Sequence, residues 1–308
     1  MLLPRPLLPG GRIGICAPAG PANEEKLRAA IEALRAEGYD VVTAPSAFAR
    51  HGLFSAPDDV RRRDLEEMFA RPDVNAVFCA RGGVGSSRLL PDLDTALIAR
   101  SRKSFLGFSD LTAVQWLLGK RHEFVTFSGP LAVEWEGGVS PATRRRALQT
   151  LSGEMNGDLL AGFPRDGVRT LRGGKVRGRL WPGNLTMIAT LLGTPYLPDL
   201  AGAVLLIEDV NEPPHRVDRL LFHLRNAGVL SKVAAVLAGE LEFGEEGELK
   251  GSVARSLSDA TRGLEIPLAL GLPYGHGSER MTLPVGALVE WDSNQGTLTL
   301  CEPVTESA

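Results

Sequence analysis

Only three cysteines and five histidines occur in the 308 residues, and aromatic side chains make up just 6%. Cys16, Cys79 and Cys301 stand far apart with no CxxC pair, which argues against a disulfide scaffold and against a thiolate zinc site. Cys16 and Cys79 lie in the apolar runs GICAP and AVFCA, where buried, inert thiols are expected. There is no HExxH and no His/Cys cluster, so neither a metal nor another cofactor is expected. No apolar stretch reaches the roughly 18 uncharged residues of a membrane helix. The opening MLLPRPLLPG carries two prolines and an arginine within its first six residues and lacks the apolar core of a signal peptide. Basic and acidic residues nearly balance, 34 against 37, without the basic excess of a nucleic-acid partner. These absences leave the expectation of a cytoplasmic protein that binds neither membrane nor nucleic acid.

What remains is a globular composition, 44% apolar and 23% charged, in a chain long enough for two domains. The first half alternates short apolar strands (RIGIC, YDVVT, VNAVFCA, SFLGF) with helical segments. The segment from Glu24 to Glu37 places Leu27, Ile31 and Leu34 at helical spacing and is closed by Gly38. Such alternation predicts a parallel sheet covered by helices, with ligands beyond the carboxyl ends of its strands. The RGGVG and GFSD turns fall there. The stretch GEMNGDLLAGFPRDGVRTLRGGK reads as a crossing between domains. After it come the helical run NLTMIATLLG, the strand AVLLIED, the helix RVDRLLFHLRNAG and a final strand pair around ALVEWD and TLTLCE. The expected organisation is an N-terminal α/β domain over residues 1–155, a crossing over 156–175, and a smaller α+β domain with a partial barrel over 176–308. The arginine runs at 61–63 and 144–146 read as solvated helix faces rather than binding patches.

RGGVGSSR, residues 81–88, is glycine-rich and follows a strand, yet it lacks the third glycine of GxGxxG and the GK[ST] ending of a phosphate loop. Ser109 is the stronger lead. It sits where the strand SFLGF meets a helix, a turn that lifts a hydroxyl clear of the sheet beside free helix N–H groups. The stretch departs from GxSxG at Leu111, and an ordinary helix cap at Ser109 or Asp110 would look the same. A nucleophilic serine needs a base and the base needs an orienting acid. His276, between two glycines in GLPYGHGSER, is the best-presented histidine; His215 is its rival, and His223 reads as packing. Glu208 ends the apolar strand AVLLIE, with Asp209 and Glu212 close by. Spacing alone does not choose among these three acids.

Together, GRIGICAPAGP, CARGGVGSSRLLPDLD, FLGFSDLTAVQ, SGPL, PGNLTMIATLLGTPYLPDL, LLIEDVNEPPHRVDRLL and LPYGHGSERMTLPVGALVEWD resemble the murein LD-carboxypeptidase family of serine peptidases, which includes the microcin-immunity peptidases. The segments occur in the family's order across nearly the whole chain. The resemblance implies a Ser109–Glu208–His276 triad performing acyl transfer, with the nucleophile on the first domain and the acid and base on the second. It implies an oxyanion hole from the Asp110 amide plus that of Gly82 or Gly83. Arg81 becomes a candidate for binding the free carboxylate of the substrate, since arginine binds carboxylates bidentately. The implied activity releases D-alanine from the L,D-peptide bond of a muropeptide stem tetrapeptide during cell-wall recycling, by a homodimer. The alternatives are cleavage of a peptidyl- or aminoacyl-nucleotide, as in the immunity branch, and a non-catalytic muropeptide-binding protein. Phe108, Val84 and Ser128 depart from the family's usual tyrosine, aromatic and histidine, which bears on the pocket rather than on the triad.

Overall fold

The computed structural model describes residues 1–241 and 249–307. The first half runs β1 (Arg12–Cys16), α1 (Glu24–Ala36), β2 (Asp40–Thr43), α2 (Asp58–Ala70), β3 (Ala76–Cys79), α3 (Thr95–Ser101), β4 (Ser104–Gly107), α4 (Thr112–His122), β5 (Thr126–Ser128) and α5 (Pro141–Leu151). The second half follows with β6 (Arg169–Arg172), β7 (Lys175–Asn184), α6 (Leu185–Leu191), β8 (Val204–Glu208), α7 (Pro214–Asn226), β9 (Ala235–Ala238), α8 (Ser252–Ala260), β10 (Leu268–Leu270), β11 (Leu283–Val285), β12 (Leu288–Asp292) and β13 (Thr297–Leu300).

Local chemistry accounts for these elements. The α1 helix begins where Asn23 accepts a hydrogen bond from the Lys26 amide at 2.9 Å, and it buries Leu27, Ala30, Ile31 and Leu34 on one face. The β3, β4 and β8 strands are buried throughout, as their unbroken apolar runs require of parallel strands covered on both faces. The first sheet has the order β11-β5-β4-β3-β1-β2, and the second β13-β12-β7-β8-β9-β10-β6. β7 to β10 run parallel, flanked by antiparallel β12 and β6. This second sheet is the curled, partial barrel expected from the sequence, so the two-part α/β architecture holds.

Several details differ from the sequence reading. The stretch read as a crossing already contains β6, which pairs with β10 at the edge of the second sheet, and Lys175 already opens β7. Glycine and arginine made this segment look irregular, but an edge strand tolerates both. The chain also returns to the first sheet late: β11 pairs antiparallel with β5, Leu283 opposite Ser128 and Val285 opposite Thr126. Cys16 and Cys79, partners in the β1–β3 register, are fully buried as expected. Burial, then the neighbouring Cys16 sulfur, pushes the Cys79 thiol well up, which keeps it protonated and unreactive.

The arginine runs are solvated only in part: Arg63 and Arg145 are exposed, while their neighbours turn inward to differing degrees. Arg61 is 0% exposed and donates to the carbonyls of Ala56 and Gly85, each at 3.0 Å, as well as to Pro18 and to Asp58. Arg144 bonds the Trp135 carbonyl at 2.8 Å and Arg146 the Ala161 carbonyl at 3.0 Å. Helix periodicity cannot show that an arginine points inward to collect loop carbonyls. Because Arg61 ties the glycine-rich turn to the rest of the domain, Arg61→Met should leave these carbonyls without their charged donor. The expected loss is about 2–4 kcal/mol of stability, read from urea unfolding.

Candidate active site

β3 and β4 end side by side, and the two turns beyond them form one wall of the site. Ser109 follows β4 with φ +62°, the left-handed region that a non-glycine residue rarely occupies, and this kink turns the chain from strand to helix. The residue next to it, Asp110, is buried and fastens this turn to the glycine-rich one. Its carboxylate accepts the Ser86 amide at 2.8 Å, and its carbonyl accepts the Ser86 hydroxyl at 2.5 Å. Burial raises the Asp110 carboxyl above its ordinary range, against the opposing pull of the Ser86 hydrogen bonds. Gly82 packs so closely that a Cβ there would lie 3.1 Å from the Ser109 Cβ and 3.4 Å from its Oγ. Among the described residues, nothing accepts a hydrogen bond from the amides of Gly82, Gly83 or Asp110. These are the three donors singled out from the sequence.

The opposite wall comes from the second sheet. β8 ends at Glu208, which is 0% exposed, and β10 leads into the loop that carries His276. The structure brings the three residues into one line. Ser109 Oγ lies 3.3 Å from His276 Nε2, and His276 Nδ1 lies 2.8 Å from Glu208 Oε2. Burial raises the Glu208 carboxyl above its ordinary range, and the hydrogen bond to His276 opposes that rise. The imidazole, 25% exposed, leans on the Phe108 ring at a centroid distance of 4.8 Å.

The competing acids have other partners, and the competing histidines face solvent. Asp209 accepts the Thr186 amide at 2.9 Å and its hydroxyl at 2.7 Å, and Glu212 pairs with Arg216 at 3.3 Å. His215 is exposed, and so is His223, which therefore is not a packing residue. Arg81 is exposed at the head of the glycine-rich turn and donates to the Pro21 carbonyl at 2.8 Å. Among the described residues, no group of three or more His, Cys, Asp or Glu could hold a metal. A cavity of about 380 Å³ opens beyond β8, β9 and β10, lined by Asp209, Val210, Asn211, Gly239 and Glu240 among others.

Sequence reasoning missed the residues that hold Ser109, His276 and Glu208 in this arrangement. Asn184 sits opposite Glu208 in the β7–β8 register, and its amide donates to Glu208 Oε1 at 3.2 Å and to Asp209 Oδ1 at 2.9 Å. An asparagine directly before the helical run LTMIATL was readable as a cap, and it does cap α6 by accepting the Met187 amide. Its second bond, to the acid, had no signature. Glu240 likewise accepts the Gly277 amide at 2.7 Å beside His276. Ser128, one of the departures from the family pattern, shares a 2.7 Å hydrogen bond with the buried Tyr274 hydroxyl.

Comparison with known proteins gives the family. Residues 13–129 match the LD-carboxypeptidase N-terminal domain and residues 177–291 the LD-carboxypeptidase C-terminal domain. The chain is 32% identical over 292 residues to the murein tetrapeptide carboxypeptidase of Pseudomonas aeruginosa, covering 92% of this chain and 94% of that protein. The crystal structure of muramoyltetrapeptide carboxypeptidase from Oxalobacter formigenes superimposes with a TM-score of 0.78 at 34% identity, covering 94% of this chain and 97% of that one. The microcin C7 self-immunity protein MccF of Escherichia coli, in complex with glutamyl sulfamoyl guanosine, shares the fold with a TM-score of 0.91 at 23% identity, over 99% of this chain and 100% of that one. With both halves matched and both walls of the site in these two regions, the chain belongs to the LD-carboxypeptidase family, peptidase S66.

Proposed function

We propose that this protein is a serine LD-carboxypeptidase that removes the terminal D-alanine from muropeptide stem tetrapeptides, with Ser109, His276 and Glu208 as its triad. The observation that carries the reading is the continuous line from the Ser109 hydroxyl through the His276 imidazole to a buried carboxylate. His276 Nε2 takes the Ser109 proton as Oγ attacks the carbonyl of the last peptide bond. Glu208 stabilises the imidazolium that forms and holds the Nδ1 proton, so that Nε2 stays free to act as base. The oxyanion is received by the Asp110 amide together with that of Gly82 or Gly83. His276 then passes its proton to the departing amine of D-alanine, and a water activated by the same imidazole hydrolyses the acyl ester. Arg81, exposed at the head of the glycine-rich turn, would bind the substrate's free carboxylate. The setting proposed is peptidoglycan recycling in the cytoplasm, with the enzyme as a homodimer.

The likeness to MccF supports one alternative, a peptidase of the same mechanism that cleaves an acylated nucleotide. Mass spectrometry separates the two. Incubated with a stem tetrapeptide ending in D-alanine, the protein should release a single alanine. Turnover of an aminoacyl sulfamoyl nucleoside with no loss of alanine would assign it to the immunity branch. Ser109→Ala should abolish the reaction by at least about a thousandfold while circular dichroism stays unchanged.

Glu208 gives a sharper test, because its burial sets stability against activity. A carboxyl whose pKa is raised on folding stabilises the fold below its ordinary value, and that contribution is lost as pH rises through the folded value. The ionised form needed at neutral pH is therefore the less stable one. Glu208→Gln should lower kcat by about 10²–10⁴ with little change in KM. Its melting temperature near neutral pH should equal or exceed that of the wild type. Glu212→Gln should keep kcat close to the wild-type value, and the reverse pattern would move the acid to Glu212.

A further inference from the structure

Past His276 the chain carries a fully buried arginine, Arg280, which the proposed mechanism does not use. It is 0% exposed and makes a two-pronged ion pair with Glu134, at 2.8 Å and 2.9 Å, from the turn that follows β5. The pair therefore bridges the histidine loop and the first domain. Two further contacts make it more than a tether. The guanidinium lies 4.2 Å over the Phe108 ring, the residue immediately before Ser109. One of its nitrogens reaches the Gly277 carbonyl at 3.4 Å, the residue immediately after His276. The same ring that carries the guanidinium carries the imidazole. Arg280 thus touches the chain neighbour of the nucleophile and the chain neighbour of the base at once. Its own amide, bonded to the Thr143 hydroxyl at 2.9 Å, fixes where the loop stands against α5.

The geometry points to Arg280, held by Glu134, as the positioning residue that sets the separation between Ser109 and His276. This rests on the Ser-His-Glu reading and adds to it the element that brings the two walls into register. The Ser109–His276 contact, 3.3 Å, is at the long end of a working hydrogen bond, so a small further shift would uncouple the base from the nucleophile. Stability is a poor explanation for the pair. A buried ion pair is often no more stabilising than apolar residues of the same size. Moreover, the Arg280 Nε is buried with no hydrogen-bond partner among the described residues.

The test uses two variants of the full chain and two rates, kcat on the tetrapeptide and the second-order rate of Ser109 labelling by a fluorophosphonate. Glu134→Gln keeps the side chain's size and its acceptor for the Leu131 amide but releases the guanidinium from its fixed fork. Both rates should fall together, by about tenfold to a hundredfold in the folded protein, with KM within about twofold. The double variant Glu134→Gln with Arg280→Met removes the orphaned charge, so its melting temperature should return toward wild type while both rates stay low. A Glu134→Gln protein that labels at the wild-type rate, or a double variant that regains both rates with its stability, would reduce the pair to a structural one. Because labelling needs no peptide, a mistaken substrate leaves the comparison intact. Loss of labelling in Ser109→Ala reports on the nucleophile separately.

Discussion

The site depends on how closely the helix that follows Ser109 can approach the strand that supports Glu208. α4 lies directly on β7, and two glycines permit the contact. A Cβ at Gly183 would come within 2.5 Å of the Thr112 methyl, and one at Gly119 within 2.7 Å of the Trp181 ring. Trp116 and Trp181 meet edge to face at 5.4 Å, and the Trp116 indole donates to the Pro182 carbonyl at 2.9 Å. Within this contact the Thr112 hydroxyl donates to the Ser109 carbonyl at 2.7 Å and accepts the Asn184 amide at 3.1 Å. Asn184 in turn holds Glu208. Ser109 and Glu208, from different sheets, are thus joined through the Thr112 hydroxyl and the backbone and side-chain amides of Asn184.

Around that contact the protein buries charge that a stability-driven core would avoid. Glu208, Asp209, Asp110, Arg61 and Arg280 are all largely removed from water, and each is met by specific hydrogen-bond partners rather than by a solvent shell. The consequence is geometric definition, since a buried ion tolerates few positions for its neighbours. The left-handed Ser109 belongs to the same pattern. Strain at one residue is maintained because Asp110, Ser86 and Gly82 surround the turn and leave it no relaxed alternative.

The sequence made the strand–helix alternation of the first half legible because its signals are local. Apolar runs of strand length, the α1 periodicity and the Gly38 stop each lie within one segment. Ser109 was readable as a strand-to-helix turn for the same reason, although its role rested on the likeness of seven segments to a known family. The second layer was not legible. Arg61, Asn184 and Arg280 act through partners 24 to 146 residues away, and no period or spacing encodes such pairings. The choice of Glu208 over Asp209 and Glu212 was hidden likewise. What sets Glu208 apart is its 2.8 Å contact with His276, 68 residues away in the chain, since Asn184 reaches Glu208 and Asp209 alike. The edge strand β6 was hidden by its own composition.

The late return of β11 to the first sheet has a consequence for how the protein is made. During synthesis the first domain emerges complete except for its edge, because Thr126–Ser128 waits for Leu283–Val285, more than 150 residues further along. Until then β5 presents an unpaired strand edge to the surroundings, the feature through which incomplete chains associate wrongly. The strand that closes that edge follows shortly after His276 in the chain. A polypeptide cut short before His276 would lack both the histidine of the proposed triad and the cover of β5, whereas a chain that closes the edge carries the histidine loop with it. Protection from misassembly and completion of the site are therefore the same late event.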